Sequence, residues 1–187
     1  AWGGLQRTGS TLWSGDVVAR WDNLRDQISA GVNTGLSGVP NWTHDIGGFA
    51  LEDRFLNAKP GSADLAEWQE LNLRWFQFGA FSPVMRLHGD RRPQQPVATA
   101  AGEYRLESGA DNEVWSYGPE IEETFVSYIR LREALRPYTR ALMAEAHEHG
   151  TPVMRGLFYE FPDDACCWQV GDQFLFGADV LVAPVLE

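Results

Sequence analysis

Three short stretches of this chain carry residue types suited to sugar chemistry: Trp13-Ser14-Gly15-Asp16, Thr43-His44-Asp45-Ile46-Gly47-Gly48-Phe49 and Arg86-Leu87-His88-Gly89. The first two each set an acidic residue among glycine and aromatic side chains. A sugar ring stacks its apolar face on an aromatic and donates its hydroxyls to a carboxylate. Asp16 is the candidate general acid/base, because cleaving a glycoside requires a carboxyl group that protonates the leaving oxygen. Asp also caps helices well, and a helix is expected to follow, so capping is the competing role; both can hold together. Asp45 is a candidate acceptor for a pair of sugar hydroxyls, with glycines that admit close approach, or else a turn residue before paired glycines. His88 is a candidate substrate contact, although a lone histidine more often fills a structural hydrogen-bonding role. Arg86 is expected to orient Asp45 or another site carboxylate rather than to touch sugar.

Other chemistries find no footing. Ser14 and Ser82 lack the sequence context of a nucleophilic triad. Gly3-Gly4 and Gly47-Gly48 lack the pattern of a phosphate loop. Cys166 and Cys167 are adjacent, so a bridge between them is strained, and no spaced His or Cys completes a zinc site. No metal or cofactor is expected. His147 and His149 fall at a helix end, where partial positive charge is favourable without any function.

These residues need elements to carry them. Apolar positions Val18, Trp21, Leu24, Ile28 and Val32 predict a helix over 17–34, and Leu65, Trp68, Leu71, Trp75 and Phe78 a second over 64–79. The short apolar runs 36–42 and 81–87 are strand candidates, each ending at a chemically active residue. A carboxylate just past the C-terminal end of a strand is where α/β barrels place chemistry. Residues 50–64 read as a polar insertion turning at Pro60-Gly61-Ser62, and 90–119 as a long connector rich in Arg, Pro, Gln and Gly. A long helix over 120–149 is expected to kink or break at Pro137 and to stop before Gly150. From 151 onward, short apolar runs alternate with Pro, Gly and Asp, as at the start of an all-β domain. The expected division is therefore 1–150 and 151–187.

Composition narrows the partners. The chain has 187 residues, a net charge of −11 and no basic stripe, which excludes a nucleic-acid binder. A membrane-surface role is disfavoured on the same ground, and no apolar run is long enough to span a bilayer. Eight Trp exceed what an average core requires; a large aromatic core or a carbohydrate cleft would use them. The start at Ala1-Trp2-Gly3-Gly4, without a Met or a signal-like segment, predicts a piece of a longer polypeptide. Cytoplasmic, periplasmic and extracellular locations all remain compatible.

Taken in order, Gly4-Leu5-Gln6-Arg7 and segments 13–16, 35–49, 74–79, 81–89, 135–138, 146–150, 152–162 and 172–184 resemble glycoside hydrolase family 31. The resemblance implies an α/β fold: part of a (β/α)8 TIM barrel, about strands six to eight, running into a C-terminal β-sandwich. It implies Asp16 as general acid/base after strand six. It matches Asp45 after strand seven and His88 after strand eight to hydroxyl-binding groups, and Trp13 and Phe49 to aromatic walls around the bound sugar. The substrate implied is an oligosaccharide or other α-glycoside, cleaved with retention at a terminal xylose or glucose. Stretches 40–45 and 113–118 look closest to α-xylosidase-like members, with α-glucosidase close behind.

One departure matters. The family's nucleophile lies in a Trp-x-Asp-Met-Asn-Glu type motif, and nothing in this sequence matches it. Retention needs two carboxyl groups roughly 5–5.5 Å apart. These residues alone are thus expected to be inactive and to need the remainder of the barrel or other chain copies. A non-catalytic glycan-binding module and a degenerate barrel half are the alternatives. Neither demands an acid/base at Asp16.

Overall fold

The computed structural model describes residues 9–91, 94–98, 100–108 and 111–187, giving the backbone alone for 94–97 and 104–108. Its organising feature is a set of parallel extended runs. β1 (Leu12–Trp13) pairs in parallel with β2 (Trp42–Thr43). Beyond these strands, the chains stay side by side through parallel bridges between Val18 and Ala50 and between Ile46 and Leu87. Val84 N–H donates to Trp42 O and Ile46 N–H to Arg86 O, so the run beginning near Val84 forms the third member.

The connections are helical. α1 (Trp21–Leu36) joins the first run to the second, and α3 (Ala63–Gly79), preceded by the short α2 (Asp53–Leu56), joins the second to the third. This is the strand–helix–strand alternation that produces parallel sheets. α1 buries Leu24, Ile28 and Val32, and α3 buries Trp68, Leu71, Trp75, Phe76 and Phe78. Each such side chain contributes about 1.5–3 kcal/mol when fully buried. Ser62 caps α3 by accepting from Leu65 N–H. Phe76 stacks on Phe125 at 4.0 Å and joins α3 to α4 (Pro119–Ala134). The helical path breaks at Leu135 and resumes as α5 (Arg136–His149), with Pro137 in its first turn.

Several boundaries differ from those read in the sequence. The first helix begins at Trp21, not at 17, because Val17–Ala19 are held laterally by Phe49 and Ala50. Asp16 is therefore not its N-cap; Arg20 is. Residues 36–41 are not a strand: Ser37, Gly38 and Val39 N–H groups fold back onto carbonyls at the end of α1. The strand is confined to Trp42–Thr43. Likewise, residues 81–83 continue the turn that closes α3, and pairing starts only at Val84. The connector contains an antiparallel hairpin, β3 (Gln94–Ala98) with β4 (Tyr104–Ser108).

After α5, β5 (Met154–Arg155), the short α6 (Leu157–Glu160), β6 (Phe174–Phe176) and β7 (Val180–Val182) follow, the three strands forming an antiparallel sheet in the order β5-β6-β7. This sheet shares a core with the parallel region. A Cβ at Gly31 of α1 would lie 2.5 Å from Met154 Sδ and 2.8 Å from the Trp42 ring, so only glycine permits this approach. Cys166 and Cys167 are both free thiols. Among the described residues, no helix is long and apolar enough to cross a membrane.

Candidate active site

All six candidate residues lie at the C-terminal ends of the parallel runs. Asp45 is the centre. It is fully buried, at 0 % exposure, although it carries a carboxylate. Its Oδ1 forms a close ion pair with an Arg86 terminal nitrogen, and its Oδ2 accepts from Trp13 Nε1 at 3.3 Å. Each partner comes from a different run. Burying an isolated carboxylate is costly, and these two donors compensate it. A carboxylate has about four acceptor sites, so two oxygens holding one donor each retain capacity for hydroxyls.

The aromatic walls differ in placement. The Trp13 ring is 48 % exposed despite its tie to Asp45. Phe49 is half-buried and packs against His88, with ring centroids 5.8 Å apart and planes at 45°. Phe49 N–H donates to Val17 O at 2.8 Å, which fixes the loop carrying Phe49 to the residue that follows Asp16. Asp16 itself is exposed and makes no hydrogen bond or ion pair among the described residues. Thus Trp13 and Arg86 each contact Asp45, Phe49 and His88 touch one another, and Asp16 has no contact of this kind with any of them.

The loop between Asp45 and Phe49 is shaped by its glycines. Gly47 has φ +85°, and a Cβ there would lie 2.3 Å from Asn72 Oδ1. Arg91, buried, donates to Gly48 O at 3.2 Å and Phe49 O at 3.0 Å, and its guanidinium lies 5.2 Å from the Trp68 ring centroid. Sequence reasoning missed Arg91, since its neighbourhood reads as a polar connector and nothing local signals burial.

It also missed the role of His44. This imidazole is buried, stacks on Phe78 at 4.8 Å, accepts from Trp75 Nε1 at 2.9 Å and pairs with Ser82 Oγ at 2.9 Å. Burial lowers its pKa from 6.5 to about 3, against the raising effect of the Asp45 backbone beside it. The only signal in the sequence is its position inside a buried strand end, opposite in direction to Asp45.

A cleft of about 340 Å³ at the other end of the runs is lined by Ser10, Pro40, Asn41, Met143 and His147, among others. It contains no carboxylate and cannot perform acid/base chemistry of the kind Asp16 and Asp45 suggest.

Aromatic rings and a clamped carboxylate at one end of parallel strands are features that a carbohydrate site on an α/β fold can use. Residues 1–142 match the glycosyl hydrolases family 31 TIM-barrel domain, and residues 150–187 match the family's C-terminal domain. The chain belongs to glycosyl hydrolase family 31. It is 35% identical over 185 residues to an α-xylosidase of Saccharolobus solfataricus, covering 99% of this chain and 22% of that protein. It is 38% identical over 186 residues to α-glucosidase 2 of Bacillus thermoamyloliquefaciens, covering 98% and 19%. A family 31 α-xylosidase from a soil metagenome, crystallised with xylose, superposes with a TM-score of 0.88 at 49% identity, covering all of this chain and 27% of that one. The chain thus spans about a fifth of the length of the curated relatives it matches.

Proposed function

We propose that this chain supplies the acid/base half of a retaining α-glycoside hydrolase that removes terminal xylose or glucose from oligosaccharides. Asp16 protonates the leaving oxygen and then deprotonates the attacking water. Asp45 accepts hydroxyl hydrogen bonds from the sugar, His88 contacts a further hydroxyl, and Trp13 and Phe49 wall the ring. Arg86 holds Asp45 in place. The nucleophilic carboxylate lies outside these 187 residues, because no residue here stands in the family's nucleophile motif. On this reading 1–150 form about strands six to eight of the barrel with their helices, and 151–187 begin the β-sandwich. The rest of the barrel, or other copies of the chain, completes the site.

The observation that carries the proposal is Asp45, buried between donors from two other runs at the strand ends. Xylose is the favoured sugar, because a similar structure at 49% identity is an α-xylosidase that holds xylose. Glucose is the second reading, supported by the similar α-glucosidase.

The test is release of p-nitrophenol from the α-xyloside and the α-glucoside by the polypeptide extended through its nucleophile strand. Faster release from the xyloside is expected. Faster release from the glucoside replaces the sugar assignment. Release from neither removes both and leaves glycan binding without catalysis. Residues 1–187 alone are expected to release neither product.

A further inference from the structure

His44 has every polar atom of its ring engaged, and the partners determine its proton. An indole N–H can only donate, so His44 Nδ1, 2.9 Å from Trp75 Nε1, is unprotonated. The proton is then on Nε2, which donates to Ser82 Oγ at 2.9 Å. Ser82 Oγ reaches on to Phe78 O at 3.4 Å. The ring stacks on Phe78 at 4.8 Å and meets Trp42 at 5.2 Å with the planes tilted by 42°. It is 1 % exposed, and Ser82 is fully buried.

This relay joins the elements that carry the site. His44 immediately precedes Asp45. Trp75 belongs to α3. Ser82 lies in the turn from which the third run departs, two residues before Val84 and four before Arg86. Two further bonds join the same segments: Thr43 Oγ1 donates to Val84 O at 2.9 Å, and Val84 N–H donates to Trp42 O at 3.1 Å. Successive side chains on an extended run point to opposite sides, so His44 faces the core while Asp45 faces Arg86 and Trp13. His44 therefore touches no sugar and acts only through Asp45.

We propose that Trp75, His44 and Ser82 form the positioning device of the sugar site, setting the spacing between the run that carries Asp45 and the run that carries Arg86. The inference rests on the glycosidase reading of Asp45. An apolar ring at 44 would fill the space but leave the Trp75 N–H and the Ser82 hydroxyl without their partner, freeing the turn to shift relative to Asp45. Displacing a binding group by about 1 Å lowers turnover by about a hundredfold.

The experiment uses the polypeptide extended through the nucleophile strand, with kcat and KM on p-nitrophenyl α-xyloside and α-glucoside, xylose binding by calorimetry, and thermal melting. Ser82→Ala, which removes a hydroxyl and little volume, is expected to lower kcat/KM about tenfold and to weaken xylose binding in parallel. Ser82→Thr, which keeps the hydroxyl, is expected to restore both. His44→Phe is expected to lower kcat/KM about a hundredfold.

The deciding measurement is the double-mutant cycle. In an Asp45→Ala background, Ser82→Ala should cost nothing further, because the relay acts through Asp45. Additive losses, or folded Ser82→Ala with wild-type kinetics and binding, overturn the proposal. If His44→Phe does not fold, the serine pair and its cycle decide alone. Wild-type protein that neither cleaves either glycoside nor binds xylose overturns the glycosidase reading and this inference with it. Active wild type with unaffected variants overturns only the inference.

Discussion

The two acidic residues of the site are set up in opposite ways. Asp45 is sealed at the end of its run, with Trp13 and Arg86 on its oxygens and the His44 relay behind it. Asp16 sits exposed in a turn, with no partner among the described residues. A group that binds sugar hydroxyls must be in position before the ligand arrives, and preorganisation of this kind is built from packing on both sides. A group that exchanges protons with a leaving oxygen and then with water needs access to both. On the proposed roles, the binding carboxylate, Asp45, is part of the architecture and the proton-transfer carboxylate, Asp16, is not.

Substitutions separate the two. The largest effect is expected for Asp16→Asn in the complete enzyme: turnover of unactivated glycosides falls about a thousandfold, while the melting temperature and xylose binding stay at wild-type values. A lowered melting temperature would erase the contrast. Asp45→Ala should damage both properties. It leaves Arg86 without its counter-ion, and the expected loss is about 2–3 kcal/mol of stability, below the full value for a buried pair because Arg86 is 40% exposed. Denaturant unfolding measures it, and unchanged stability would mean Asp45 is not part of the architecture after all.

Gly47→Ala sharpens the comparison from the backbone side. The left-handed conformation and the overlap with Asn72 predict a loss of about 2 kcal/mol, with a rise in KM as the loop before Phe49 moves. His44 gives a pH signature. Its folded pKa of about 3 lies below its ordinary 6.5, so its contribution is fully present above pH 6.5. It is lost progressively as pH falls from there towards 3. Unfolding of wild type and His44→Phe across that window should converge at low pH; parallel curves would show that His44 does not titrate this way. The smallest effect is expected for Arg54→Ala. It breaks the ion pairs with Glu52 and Glu67, which are open to solvent and contribute less than about 1 kcal/mol, sensitive to salt.

Helices were legible because their apolar spacing is redundant. Trp21, Leu24, Ile28 and Val32 each repeat the same statement, and Pro137 and Gly150 mark the breaks where they occur. The parallel strands were not delimited well. Two paired residues at Trp42–Thr43 leave too little periodicity to separate them from the apolar turn at 36–41. The hairpin at Gln94–Ser108 was hidden by a composition typical of loops. For the site, residue types and order pointed to Asp16, Asp45, His88, Trp13, Phe49 and Arg86. The donors that hold the site in place, Trp75 and Arg91, were invisible because their functions depend on distant partners. Trp75 read as one more apolar position, and its N–H, aimed at His44, has no expression in spacing.

Arg155 has a consequence for how this protein can be taken apart. Its guanidinium is 3 % exposed and pairs with Glu160 beside it in sequence, with Glu145 of α5, and with the Pro152 carbonyl. The first family-domain match ends at Leu142 and the second begins at Gly150, and Arg155 reaches back to Glu145 within that gap. Cutting the chain at the junction, or grafting residues 150–187 onto another barrel, would remove the Glu145 contact and leave Arg155 with Glu160 and the Pro152 carbonyl, which stay on its own side. Residues 150–187 therefore carry the main counter-charge of their buried arginine with them, and modular exchange between relatives should not depend on Glu145.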